Sequence, residues 1–113
     1  MELTWIELLT AFEVDLDEKG GADFAELVLR LVNHYRWTGE RAKVGAVVRS
    51  MSRERGITDR QLYMRMKKAV GNILNSDDAA LKLWEIYPEK FTSSMLAAAI
   101  AEREIQRIEQ RQM

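Results

Sequence analysis

The six residues 56–61, GITDRQ, constrain the chain more than any other stretch. A glycine at the end of an apolar-periodic run closes a helix, because it enters the left-handed conformation at little steric cost. Thr58 and Gln61 then form T-x-x-Q, a capping box, and Ile57 with Leu62 can act as a hydrophobic staple. One helix therefore has to stop and another start within a few residues, the second at about Asp59. The surrounding residues 41–74 read RAKVGAVVRSMSRERG and ITDRQLYMRMKKAVGNIL. This is the outline of a helix-turn-helix, in which the second helix enters the major groove of DNA.

The periodicity of the two helices sorts their faces. Thr38 is the expected N-cap of the first, and Val44, Val47, Val48 and Met51 are its inward face, with Gly45 and Ala46 small enough for close packing. In the second, Leu62, Met66, Ala69, Val70 and Ile73 make the buried stripe. That leaves Arg60, Gln61, Met64, Arg65, Lys67 and Lys68 for solvent or a partner. Arg60, Gln61, Met64 and Lys67 are the expected base readers, since Arg and Gln can bond bidentately to guanine and adenine edges. Arg41, Lys43, Arg53, Arg55, Arg65 and Lys68 are the expected phosphate contacts. The plainer alternative is an ordinary amphipathic helix with a basic face.

Charge is distributed unevenly. Residues 1–35 carry eight acidic and two basic side chains, residues 36–68 ten basic and three acidic, and residues 69–113 five basic and seven acidic. A basic middle favours a polyanion, because phosphate contacts need local positive charge. A solvated helix face with its counter-charges elsewhere gives the same pattern.

The remaining segments read as scaffold. Residues 2–12 carry a helical apolar stripe in which Trp5 is expected in the core rather than as a binding platform. Residues 14–21, VDLDEKGG, read as a loop. Asp15, Asp17 and Glu18 alternate as in a calcium loop, but a solvated acidic turn is the simpler reading and no metal is expected. A second helix runs over 23–37, opened by Asp23 or Ala22, with Phe24, Leu27, Val28, Leu31, Val32 and Tyr35 inward. His34 is the only histidine and stands on the surface in this reading, with no marked nucleophile or orienting partner. Asn75 or Ser76 caps a further helix that includes Trp84 and stops at Pro88. Thr92 or Ser93 opens the last, whose polar end AEREIQRIEQRQM would fray or pack against a partner.

The whole, residues 1–113, is expected to be an all-α, compact single domain of about six helices containing a helix-turn-helix. The chain has no cysteine, which excludes disulfides and thiolate chemistry and makes the cytoplasm the simplest location. No apolar run approaches the ~20 residues that span a bilayer, so no membrane association is expected. Gly-rich phosphate loops are absent, and no cofactor is expected.

At this point the chain resembles a known family, the C-terminal DNA-binding effector domain of the stage-zero sporulation response regulator of endospore-forming bacteria. The middle pattern of that family is an apolar helix, a turn, and a threonine-led recognition helix ending in basic-x-Ala-Ile. Here the corresponding stretch is VVRSMSRERGITDRQLYMRMKKAV. WIELLTAFEV is similar to the opening helix, GGADFAELVLRLV to the second, and FTSSMLAAAIAERE to the closing helix. The resemblance implies about six helices and sequence-specific duplex DNA binding, often as paired copies on adjacent sites. By position it places Arg60, Gln61, Met64, Lys67 and Lys68 on the exposed face of the recognition helix. Met64 stands where the family has an arginine and Tyr63 where it has an acidic residue, so the target sequence is expected to differ. No receiver domain is present, and a standalone regulator is the expectation.

The leading expectation is thus a non-enzymatic transcriptional regulator that binds double-stranded DNA, as a homodimer or as paired copies. Its rival is a protein-interaction module, a small inhibitor or adaptor that keeps the same helices. That module would dock a protein through the basic face, or a basic partner through the acidic N-terminal third. An enzyme is the weakest reading, since no paired carboxylates or nucleophile stand out.

Overall fold

A computed structural model of the chain describes residues 4–75 and 92–111. These residues form an all-α domain of six helices with one shared core. They are α1 (Trp5–Ala11), α2 (Lys19–Thr38), α3 (Val44–Arg55), α4 (Asp59–Ala69), α5 (Gly71–Leu74) and α6 (Ser93–Arg111). The helix expected between Asn75 and Pro88 lies outside the described residues.

α2 is the central element and packs against both α4 and α6. Of its expected stripe, Phe24, Leu27, Val28, Leu31 and Val32 are buried, as the periodicity requires, and Tyr35 near its C-terminus is half-buried. Leu8 and Leu9 of α1, Val48 and Met51 of α3, Leu62 and Met66 of α4, and Leu96 and Ile100 of α6 close the same core. Trp5 is half-buried against it.

α2 begins four residues before the expected start, with Glu18 at its N-cap. The Gly20–Gly21 pair read as a loop belongs to its first turn. Its reason is tertiary: a Cβ on Gly20 would lie 2.9 Å from the carbonyl carbon of Arg65 and closer still to its oxygen. A Cβ on Gly21 would meet the Asp15 carbonyl in the same way. The glycines let α2 approach the backbones of α4 and of the preceding turn. Asp23, expected as the opener, sits one turn inside α2 and is buried.

Thr38 is not the N-cap of α3. It is the last residue of α2, and its hydroxyl donates to the His34 carbonyl at 2.8 Å. Gly39 then takes the left-handed conformation, φ 75°, and α3 opens after Lys43 without a side-chain cap. α1 closes with a Schellman motif in which Glu13 occupies the left-handed position, φ 59°. Its signature bond, from Val14 N–H to the Leu9 carbonyl, is 3.0 Å.

The turn between α3 and α4 matches the sequence expectation. Ile57 N–H donates to the Ser52 carbonyl at 3.0 Å and Gly56, φ 65°, carries the left-handed step. Thr58 Oγ1 accepts from Gln61 N–H at 3.1 Å, and Gln61 Oε1 accepts from Thr58 N–H at 2.9 Å. Both halves of the capping box are therefore made. α4 ends earlier than expected, at Ala69, because buried Val70 leaves helical geometry at φ −106°, ψ 16° before α5 resumes.

Candidate nucleic-acid interface

The angle between α3 and α4 is held by polar contacts that local sequence patterns do not show. Ser52, buried on α3, donates its hydroxyl to Asp59 Oδ1 in the first turn of α4. Asp23 of α2 is buried, only 3% exposed. Its Oδ1 accepts from Arg55 Nε and its Oδ2 from Arg65 Nη2, each at 2.8 Å. One carboxylate thus ties the end of α3 and the middle of α4 to α2. Arg55 also donates to Glu26 at 2.8 Å and to the Met51 carbonyl at 3.2 Å. Glu26 pairs with Arg30 at 3.0 Å, and Arg30 pairs in turn with Glu54. Glu26 beside Arg55 holds that guanidinium above its ordinary range, and Glu54 does the same for Arg30. Arg30 in turn holds the Glu54 carboxyl below its ordinary value. Three carboxylates and three guanidinium groups form this belt.

A second clamp closes the other end of the domain. Arg41 Nε and Nη2 donate to the two carboxylate oxygens of Glu102, and Nη2 also to Glu109, all at 3.0 Å. These two carboxylates, Glu102 first, raise the Arg41 pKa. Its guanidinium lies 5.4 Å from the Tyr35 ring centroid, within cation–π range. The polar end of α6 is therefore docked on its own chain, with Ile105 buried beneath, rather than left for a partner.

These contacts divide the expected site residues into two groups. Arg41, Arg55 and Arg65 spend their charge on carboxylates of the chain itself. Arg60, Gln61, Met64, Lys67 and Lys68 of α4, with Lys43 and Arg53 around α3, are exposed. Among the described residues none of those five cations has a carboxylate partner. Arg49, not assigned to the site from sequence, is exposed and unpaired in the same sense. It shares a helical row with Arg53, four residues on, which is the signal that could have found it.

On α4 the exposed side chains form one continuous face. At about 100° per residue, positions 60, 61, 64, 67 and 68 cover an arc of about 120° with Met64 at its centre. The arc holds three cations and no acid. Gln61, however, is not a free carboxamide. Its oxygen is bonded to Thr58 N–H, so the bidentate grip on adenine expected of it competes with the capping box.

Elsewhere the expectations about chemistry are simply located. His34 is exposed beside α3, and its carbonyl serves Thr38. Asp15, Asp17, Gly20 and Glu26 have the spacing of a calcium loop, but residues 19–26 are helical and Glu26 faces arginines. Among the described residues no three His, Cys, Asp or Glu side chains are grouped to hold a metal ion. No helix among them is long and apolar enough to cross a membrane. Trp37, unremarked in the sequence, is 89% exposed at the end of α2. Gly39 ends the helix just beyond it.

Comparison of the chain with protein-family models, with curated proteins and with solved structures finds no match in any of the three.

Proposed function

We propose that this chain is a non-catalytic, cytoplasmic regulator that binds double-stranded DNA, with α3, the turn at residues 56–58 and α4 acting as a helix-turn-helix. The observation that carries the proposal is the α4 face. It is a convex helical surface with Arg60, Lys67 and Lys68 exposed, no carboxylate among them, and a complete N-terminal capping box. A helix of this kind fits the major groove, and its N-terminal residues meet the bases. The resemblance of residues 47–70 to the sporulation effector domain points the same way. In this proposal Arg60 and Gln61 read bases, while Lys43, Arg53 and Lys68 contact phosphates. Arg55 and Arg65 set the angle of the unit, and Arg41 anchors α6.

The test is affinity for a duplex enriched by selection from random DNA. Arg60→Ala should cost about 1–3 kcal/mol on that site, and Lys68→Ala should weaken all duplexes alike. If both variants bind like the unaltered chain, α4 is not the reading helix.

A second proposal, a protein-interaction module, is favoured by one observation, the exposed indole of Trp37. Tryptophan is enriched among residues that dominate protein interfaces. Such binding would be little affected by salt, whereas DNA binding weakens steeply.

A further inference from the structure

The hydrogen-bond inventory of the α4 face is one-sided. Arg60, Lys67 and Lys68 carry donors and no acceptor. Gln61 would supply the one strong acceptor, but Oε1 is turned back onto Thr58 N–H at 2.9 Å. Of the two ends of the carboxamide, the amide nitrogen is the one without a partner among the described residues. Asp59, in the first turn of α4, lies outside the arc, about 80° from its nearer edge, and its Oδ1 accepts the Ser52 hydroxyl. At the centre of the arc stands Met64, 57% exposed, an apolar side chain with no polar hydrogen to offer.

Base edges in the major groove are distinguishable by such an inventory. Guanine presents two acceptors, N7 and O6, and thymine presents an acceptor, O4, beside a methyl group. Adenine presents an amino donor beside one acceptor, N7, and cytosine an amino donor, and either amino group needs an acceptor opposite it. A donor-only face gives adenine and cytosine amino groups nothing to bond to, and a buried unmatched donor is costly. We propose, building on the DNA-binding function above, that the Thr58–Gln61 capping bond sets specificity. By withdrawing the only strong acceptor on that arc, it makes the α4 face read guanine through Arg60 and Gln61 and a thymine methyl through Met64.

The capping box makes this separable from folding. Glutamate at the third helical position caps as glutamine does, one carboxylate oxygen accepting the Thr58 N–H. Gln61→Glu therefore keeps the cap and replaces the outward donor with an acceptor. The experiment is selection from random duplex DNA with the full chain and with Gln61→Glu, followed by Kd measurements on the selected site and on the same site with thymine replaced by uracil.

The unaltered chain should select guanine beside the α4 N-terminus and thymine in the middle of the half-site. Removing the thymine methyl should weaken binding by about fivefold or more while leaving non-specific binding unchanged. Gln61→Glu should keep its melting temperature and change the base selected at one position from guanine to cytosine, whose amino group it can accept. Adenine opposite Gln61 in the unaltered chain, or indifference to uracil together with an unchanged preference in Gln61→Glu, would overturn the specificity proposal and leave DNA binding standing. Absence of any salt-sensitive duplex binding would instead overturn the function on which it rests.

Discussion

Replacing Asp23 with asparagine is the sharpest perturbation of the scaffold. The side chain is 3% exposed and accepts one charge-assisted bond on each oxygen, from Arg55 and from Arg65. A hydrogen bond to a charged group contributes about 1.5–3 kcal/mol. Both arginines keep some contact with water, and Arg55 retains Glu26 and the Met51 carbonyl, so the two contributions do not add in full. Asparagine leaves one oxygen as acceptor and turns an amide donor toward a guanidinium donor. The cost should be about 2–3 kcal/mol, or a fall in Tm of about 10 °C for a domain of this size. Urea unfolding followed by circular dichroism should show a lower midpoint with an unchanged slope. In an Arg65→Met background Asp23→Asn should cost about 1 kcal/mol less, because the lost partner is already gone. A cost below about 0.5 kcal/mol, or no coupling to Arg65, would refute the claim that this carboxylate ties α2, α3 and α4 together.

Other substitutions follow from the same geometry. Gly21→Ala should destabilise by about 2 kcal/mol or more in thermal melts, since its Cβ would meet the Asp15 backbone, whereas Gly45→Ala should stabilise by about 0.5–1 kcal/mol because nothing stands within 4 Å. Glu13→Gly should raise stability by about 1 kcal/mol by removing a side chain from the left-handed position at φ 59°. The Glu54 carboxyl is held below its ordinary 4.5 by Arg30. A depressed folded-state pKa gives stability that is full above pH 4.5 and is lost as the pH falls below it. Glu54→Gln should therefore flatten part of the acid-side decline in urea midpoints measured from pH 6 to pH 3.

Local signals were legible in the sequence and distant ones were not. The end of α3 at Gly56, the Thr58–Gln61 box and the buried stripes of α2 and α4 depend on residues within a turn of each other, and they lie where periodicity places them. Gly20–Gly21 shows the opposite case. Glycine pairs favour loops, yet here Gly20 serves a helix–helix approach whose partner, Arg65, is 45 residues away, and Gly21 lets the preceding turn at Asp15 close on α2. The charges misled for the same reason. Arg41, Arg55 and Arg65 look like free cations in a basic segment. Their partners Glu102 and Asp23 lie 61, 32 and 42 residues away and are brought beside them only by the fold. Thr38 resembled an N-cap because its hydroxyl suits that role, but the Gly39 turn placed it at a C-terminus, bonding back to His34.

The division of the cations gives the DNA-binding proposal a number. If Lys43, Arg53 and Lys68 make the phosphate contacts, three counterions are released, and affinity for random-sequence duplex should fall about 40-fold between 50 and 200 mM salt. Six contacts, with Arg41, Arg55 and Arg65 included, would give a fall of about 2000-fold. Fluorescence anisotropy with a labelled duplex at these two salt concentrations is the most direct test. A fall near 40-fold is the predicted result, and absence of binding at 50 mM, or binding indifferent to salt, would contradict the account.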